Sequence, residues 1–271
     1  MAGRGGCAES CPNLLMHQDC PLMLQDRTTK RSNVNTAADV RIDPSIRGTD
    51  ESRWQRVLAE APLWSPADGP LLIVSPHPDN EVLAAGGLIH MWRQWGRRVT
   101  ILSLTDGDAG YPHQRQMARM RREELKEALQ VLCRSPVLVV RIGIPEGRIA
   151  ECAGKLRAAI VSLVVPGTTI IAPYEYDGHP DHDAAGRVTC EMARTLGLPV
   201  ARYPIWTWHQ GNPLAMTRLS WRRFSLSEEA QAAKADALRC FASQMSPYKR
   251  APIFPEHIIR YFARPYETFL V

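Results

Sequence analysis

No apolar run in this chain approaches the about 18 residues that a membrane span needs, and no charged-then-apolar leader opens it. The expected setting is therefore a reducing cytoplasm, with no membrane segment. Cysteine usage agrees: there are seven, an odd number, with no C-x-x-C pair, so no disulfide framework is expected. Cys7 and Cys11 are spaced C-x3-C, with His17 and Cys20 behind them, but they lack an apolar framework and are not read as a zinc site. The formal charge of +5 is mild and no basic arm interleaves with aromatics, which make up 7% of the chain. The densest basic cluster is Arg115, Arg119, Arg121, Arg122 and Lys126. Glu123, Glu124 and Glu127 lie among them, so the cluster reads as the solvated, ion-paired face of a helix and not as a nucleic-acid patch. Gly86-Gly87 does not form a G-x-G-x-x-G fingerprint, which disfavours dinucleotide binding.

What the chain does have is alternation. With 271 residues, 45% of them hydrophobic, it can bury one large α/β core. Residues 1–50 read as a poorly ordered polar tail, and 51–271 as a single domain. Strands are expected at 71–75, 98–104, 137–142, 168–172 and 200–206, and helices at about 81–95, 115–132, 151–164 and 182–196. This order predicts an α/β fold with a mostly parallel sheet and helices on both faces. Beyond Trp208 come a β-segment over 218–226, an amphipathic helix over 228–245 and a Pro- and aromatic-rich cover over 252–271.

Two strand-end loops carry chemistry. Leu71-Leu72-Ile73-Val74 leads into Ser75-Pro76-His77-Pro78-Asp79-Asn80-Glu81, and Thr168 to Pro173 leads into Asp177-Gly178-His179-Pro180-Asp181-His182-Asp183. Ligands of open α/β sheets bind at the carboxyl ends of strands, so both loops can meet at one point. A catalytic zinc takes three protein ligands and leaves a position for water. His77, Asn80 and His182 can supply that set. Asp79 is then placed to accept the proton of a metal-activated water, while His179 can stabilise the oxyanion or protonate a leaving amine. Asp181 can orient an imidazole. Asp106 and Asp108, after the second strand, and Trp208 with Trp206, after the fifth, are candidates for binding sugar hydroxyls and a sugar face.

His77-Pro78-Asp79-Asn80-Glu81 and His179-Pro180-Asp181-His182 resemble the paired signatures of the LmbE-like, or PIG-L, zinc-dependent N-acetylglucosaminyl deacetylases. The resemblance runs from about Leu71 to the C-terminus and takes in Thr105-Asp106-Gly107-Asp108, the Arg121, Glu124, Ala128 pattern and Ser243-Gln244. It implies a Rossmann-like fold and one zinc ion, with another divalent metal such as Fe2+ as the alternative. The implied activity is that of an N-deacetylase, hydrolysing the linear acetamide of an amino-sugar conjugate to amine and acetate. By the same resemblance His77 and His182 are ligands, Asp79 the base and His179 the oxyanion or acid residue. The expected partner is thus a small-molecule amino-sugar conjugate; a homo-oligomer is compatible with the chain.

One position departs from the family pattern. The usual first motif is His-Pro-Asp-Asp-Glu, whose second Asp is a metal ligand, and here that place is Asn80. Three readings follow: Asn80 ligates through its carbonyl, Asp183 or Glu81 substitutes, or the site is impaired. A working but weaker site is expected. The rival is a non-catalytic sugar-binding or scaffold protein, and a metal phosphoesterase is disfavoured because two ions need more acidic residues.

Overall fold

The computed structural model describes residues 42–109, 113–245 and 252–271. Cys7, Cys11, His17 and Cys20 lie outside the described residues, as does most of the expected tail. The end of that stretch is built onto the fold. Thr49 donates its N–H to the His209 carbonyl at 2.7 Å and its hydroxyl to the Gly211 carbonyl at 2.7 Å. Asp50 caps helix α1 (Glu51–Leu58) by accepting from the Ser52 N–H. Backbone hydrogen bonding holds a segment that has no apolar periodicity to betray it.

The alternation then runs as β1 (Leu71–Ser75), α2 (Asn80–Gln94), β2 (Val99–Ser103), α3 (Gln114–Leu132), β3 (Leu138–Arg141), α4 (Ala153–Leu163), β4 (Thr169–Pro173), α5 (Pro180–Leu196) and β5 (Val200–Tyr203). The fifth strand stops short of 206 because Pro204 has no N–H for a ladder. Next come α6 (Thr207–Gln210), β6 (Trp221–Ser225), α7 (Glu228–Arg239), α8 (Ala242–Met245), α9 (Glu256–Ile259), a 3-10 turn over Arg260–Phe262 and β7 (Tyr266–Leu270). The helix expected over 228–245 is thus two helices. No helix among the described residues is long and apolar enough to cross a membrane.

The seven strands form one sheet in the order β3-β2-β1-β4-β5-β7-β6. The first five are parallel. Their apolar runs divide by strand period. Leu71, Ile73 and Ile171 join the core under α2, α3 and α7, whereas Leu72, Val74, Ile170 and Ala172 join the core under α4 and α5. Burial on both faces explains why β1, β2 and β4 read as largely apolar runs.

β7 inserts antiparallel between β5 and β6 and repairs a break in α2. Ala85 leaves the helical region there (φ −137°, ψ 18°), which orphans the N–H groups of the next turn. Glu267 of β7 accepts from Gly87 N at 2.7 Å and Leu88 N at 2.9 Å, and buried Lys234 donates to the same carboxylate at 2.7 Å. β1 and β4 are neighbours from which the chain winds in opposite directions. That is the switch point of a doubly wound sheet, where a ligand crevice opens.

Candidate active site

The β1–α2 turn is strained and carries buried charge. Asp79 has φ 142°, a left-handed conformation costing a non-glycine residue about 1–3 kcal/mol. Its carboxylate does not cap α2; it turns to Arg121 of α3, whose Nη2 donates to Oδ2 at 2.6 Å. Arg121 also donates to the Pro78 carbonyl at 2.9 Å and the Gly107 carbonyl at 2.5 Å. Gly107 permits this with φ 62°, and a Cβ there would stand 2.0 Å from the guanidinium. Burial pushes the Asp79 carboxyl up to about 8, against the pull of Arg121 and with a further push from Glu81. Glu81, fully buried, accepts from Ser75 Oγ and the Asp79 N–H, and burial raises its carboxyl as well. Asn80 is spent locally: Oδ1 accepts from His77 N at 3.2 Å and Nδ2 donates to Asp79 Oδ1 at 2.9 Å.

The β4–α5 turn is braced instead. Asp177 is 1% exposed and accepts from the N–H groups of Ile205, Trp206 and Thr207 at 2.9–3.0 Å. It also accepts from the Thr207 hydroxyl at 2.7 Å and meets His182 Nδ1 at 2.7 Å. Burial works to raise the Asp177 carboxyl, but His182 and the backbone donors outweigh it and hold it below its ordinary value. His182 is therefore fixed with its proton on Nδ1 and Nε2 free to accept. His179 caps α5, its Nδ1 accepting from the Asp181 N–H at 3.2 Å, which places its proton on Nε2. Gly186 lets α5 close onto β4, since a Cβ there would meet the Pro173 carbonyl at 2.6 Å.

The turns meet where the sheet switches. His77 Nδ1 and His182 Nε2 face each other at 3.2 Å. Two nitrogens bound to one tetrahedral zinc at 2.0–2.1 Å stand about 3.3 Å apart, so the pair fits a divalent ion. The other nitrogen of His77 lies 3.2 Å from Asp181 Oδ2, as that of His182 lies against Asp177. Burial lowers the His77 imidazole, keeping it in the neutral, ligating form. A second donor group, His77, His179 and Asp181, also lies within 4.8 Å of mutual reach. It would need the His77 nitrogen already facing carboxylates, since Glu146 Oε1 is 3.6 Å from it too. The facing imidazole pair is the better donor set. A cavity of about 210 Å³ opens beside it, bordered among others by His77, Asp79, Asn80, Arg121, Glu146 and His179.

Of the residues anticipated from sequence, His77, Asp79, Asn80, His179, Asp181 and His182 gather here. Glu81 is taken up by Ser75 Oγ and the Asp79 N–H, and Asp183 by the Gly178 N–H at 3.0 Å. Asp106 pairs with Arg122 at 2.8 Å and, like half-buried Asp108, stands off the cavity as a turn residue. Trp208 needs correction: it is 2% exposed, against Trp54 and Trp221 at ring separations of 4.9 and 5.3 Å. The wall belongs to Trp206, because a helical turn begins at Thr207 and breaks the period-two relation between the two tryptophans. Sequence reasoning missed Asp177 and Glu146, and gave Arg121 only a structural place, pairing within its helix or supporting the loop. The acid ahead of the His-Pro-Asp-His run was the available signal for Asp177.

The fold and its crevice are those of a Rossmann-like α/β domain with a His- and Asp-built site at the switch point. Residues 72–193 match the family model described as GlcNAc-PI de-N-acetylase, PIG-L. The chain is 30% identical over 135 residues to the diacetylchitobiose deacetylase of Thermococcus kodakarensis, covering 48% of this chain and 51% of that protein. It is 30% identical over 137 residues to a probable N-acetyl-alpha-D-glucosaminyl L-malate deacetylase 2 of Bacillus anthracis, covering 46% and 60%. The chain thus spans about half the length of these relatives. Among solved structures, the zinc-inhibited form of teicoplanin deacetylase Orf2 superposes with TM-score 0.55 at 20% identity, covering 74% of this chain and 97% of that one. The diacetylchitobiose deacetylase of Pyrococcus horikoshii superposes with TM-score 0.51 at 20% identity, covering 76% of each. Both likenesses are of fold.

Proposed function

We propose that this protein is a metal-dependent hydrolase that removes the N-acetyl group from an N-acetylglucosamine-type conjugate. The observation that carries the reading is the facing pair His77 Nδ1 and His182 Nε2, each ring backed on its far side by a carboxylate. These two residues would hold the ion, zinc in the first instance, with the Asn80 amide as a weak third donor once it leaves the His77 N–H. When bound, such an ion polarises the amide carbonyl and acidifies a water.

The chain's own residues do the rest. Arg121 holds Asp79 at the rim of the cavity, where its carboxylate takes a proton from the attacking water. His179, protonated on Nε2, hydrogen-bonds the oxygen that gains charge as the carbonyl becomes tetrahedral. The C–N bond breaks, and Asp79 returns its proton to the nitrogen, giving a free amine and acetate. Asp181 steadies His77, and Asp177 steadies His182. Acetate release from N-acetylglucosaminyl conjugates, with zinc added and with zinc chelated, is the test; no release across a broad acetamide panel from metal-loaded protein sinks the proposal.

One observation favours a second reading, a sugar-binding protein without turnover: the Asn80 oxygen is already engaged by a backbone N–H. Elemental analysis of protein purified without added metal separates the two, since about one zinc per chain requires a working site.

A further inference from the structure

The cavity has two unlike sets of lining residues. The chemical set is His77, Asp79, Asn80, Glu146 and His179; the other is apolar, Ile42, Pro44, Trp206, Ile253 and Phe254. Trp206 and Phe254 stack at 5.7 Å and 19°. The apolar set is not loosely placed. Asp177, which fixes His182, also accepts the Trp206 N–H at 3.0 Å, so one buried carboxylate sets both an imidazole and the aromatic wall. Charge is distributed just as unevenly. Among the described lining residues the Lys or Arg is Arg121, committed to Asp79, Pro78 and Gly107. The acids are Asp79 and Glu146, and Glu146 is itself anchored by the Ala109 N–H. Among the described lining residues, an incoming carboxylate or phosphate meets two acids and a guanidinium already in use.

At about 210 Å³ the space is below the about 300–1,000 Å³ of drug-sized ligand sites. It suits one sugar ring; with the acetamide at the chemical set, a substituent on the opposite side of that ring would lie along the apolar set. We propose that the site selects N-acetylated amino sugars bearing a neutral, apolar aglycone, alkyl or aryl, over conjugates bearing a carboxylate or phosphate there, with Trp206 and Phe254 as the specificity-determining residues. This rests on the deacetylase reading above for its chemistry but not for its binding preference.

The test uses the full chain, zinc-loaded, with three probes: the phenyl and methyl glycosides of N-acetylglucosamine, and N-acetylglucosamine 1-phosphate. The Kd of each is measured by calorimetry and kcat/KM by acetate release. The phenyl glycoside should bind about tenfold more tightly than the methyl and about a hundredfold more tightly than the phosphate, steps of one and two decades in the equilibrium constant. Trp206→Ala and, separately, the milder Phe254→Leu should collapse the phenyl-to-methyl ratio toward one, and Glu146→Gln should narrow the gap to the phosphate. Equal binding of all three probes, or tighter binding of the phosphate, overturns the proposal. Unchanged ratios in folded Trp206→Ala and Phe254→Leu proteins do so as well. Binding in the expected order without any acetate release supports this preference while sinking the deacetylase reading.

Discussion

The two turns that form the site are built on opposite plans. In the β4–α5 turn, Asp177 meets donors from Ile205, Trp206, Thr207 and His182, His179 itself is extended (φ −101°, ψ 126°), and the positive φ falls on a glycine, Gly178. In the β1–α2 turn, Asp79 sits at φ 142°, its carboxyl is pushed up to about 8 by burial, and Asn80 replaces a charge with an amide. One turn is a satisfied anchor; the other stores strain at the residue proposed as the base. Buried charge and unusual backbone persist only where surrounding structure over-determines them, and here Arg121 is that structure. Breaking each turn separately should therefore produce different failures.

The largest effect is expected at the strained turn. Asp79→Asn removes the proposed proton acceptor while keeping the shape, and should lower kcat by about 10²–10⁴-fold with bound zinc unchanged. If kcat is unaffected, Asp79 is not the base. Next comes the anchor. Asp177→Asn turns an amide N–H toward groups that are themselves donors, and should weaken zinc binding about 10–100-fold, as loss of a residue that orients a ligand does, with a lower melting temperature. Metal affinity equal to wild type in a competition titration would show that Asp177 braces the fold without tuning His182.

Asn80→Asp tests the departure from the family pattern and should act in the opposite direction. One negative charge a few ångström from a cation contributes a few kcal/mol at an effective dielectric near 20. Part of that is spent on desolvating the new carboxylate. Zinc affinity should rise about tenfold, measured by chelator competition. An unchanged affinity would mean that residue 80 stays with the His77 N–H and takes no part in holding metal.

How much of this could be read beforehand follows from which interactions are local. β1, β2 and β4 were legible because burial on both faces leaves a largely apolar run, as in Leu71-Leu72-Ile73-Val74; β3 and β5 were placed by their position in the strand–helix alternation. β7 was not: Tyr266-Glu267-Thr268-Phe269-Leu270 carries a charge whose partners, Gly87, Leu88 and Lys234, lie far away in sequence. The His-Pro-Asp motifs marked the site because strand-end turns concentrate chemistry in short stretches. The roles of Asp177 and Arg121 depend on how α6 and α3 pack; the position of Asp177 ahead of the His-Pro-Asp-His run was a local signal for it, whereas nothing adjacent to Arg121 reports its partners Asp79, Pro78 and Gly107. Trp206 and Trp208 were indistinguishable until the end of β5 at Tyr203 was known.

The smallest effect per unit of change is in pH, and here the two turns should pull against each other. In metal-free protein, Asp79 has a folded pKa near 8 against an unfolded value near 3.9. Between these values the native state binds more protons than the unfolded one, so this group's contribution to stability falls as pH rises. His179 is opposite. Burial, then the charges of His182 and His77, lower its imidazole to about 2, so between pH 2 and about 6.5 the unfolded state binds more protons, and its contribution falls as pH drops. Each slope is at most about 1.4 kcal/mol per pH unit. Urea titrations from pH 4.5 to 8 should show wild type losing stability relative to Asp79→Asn as pH rises. Below pH 6.5 wild type should lose stability relative to His179→Gln as pH falls. If both differences run flat, burial does not move the titrations of Asp79 and His179 away from their ordinary ranges.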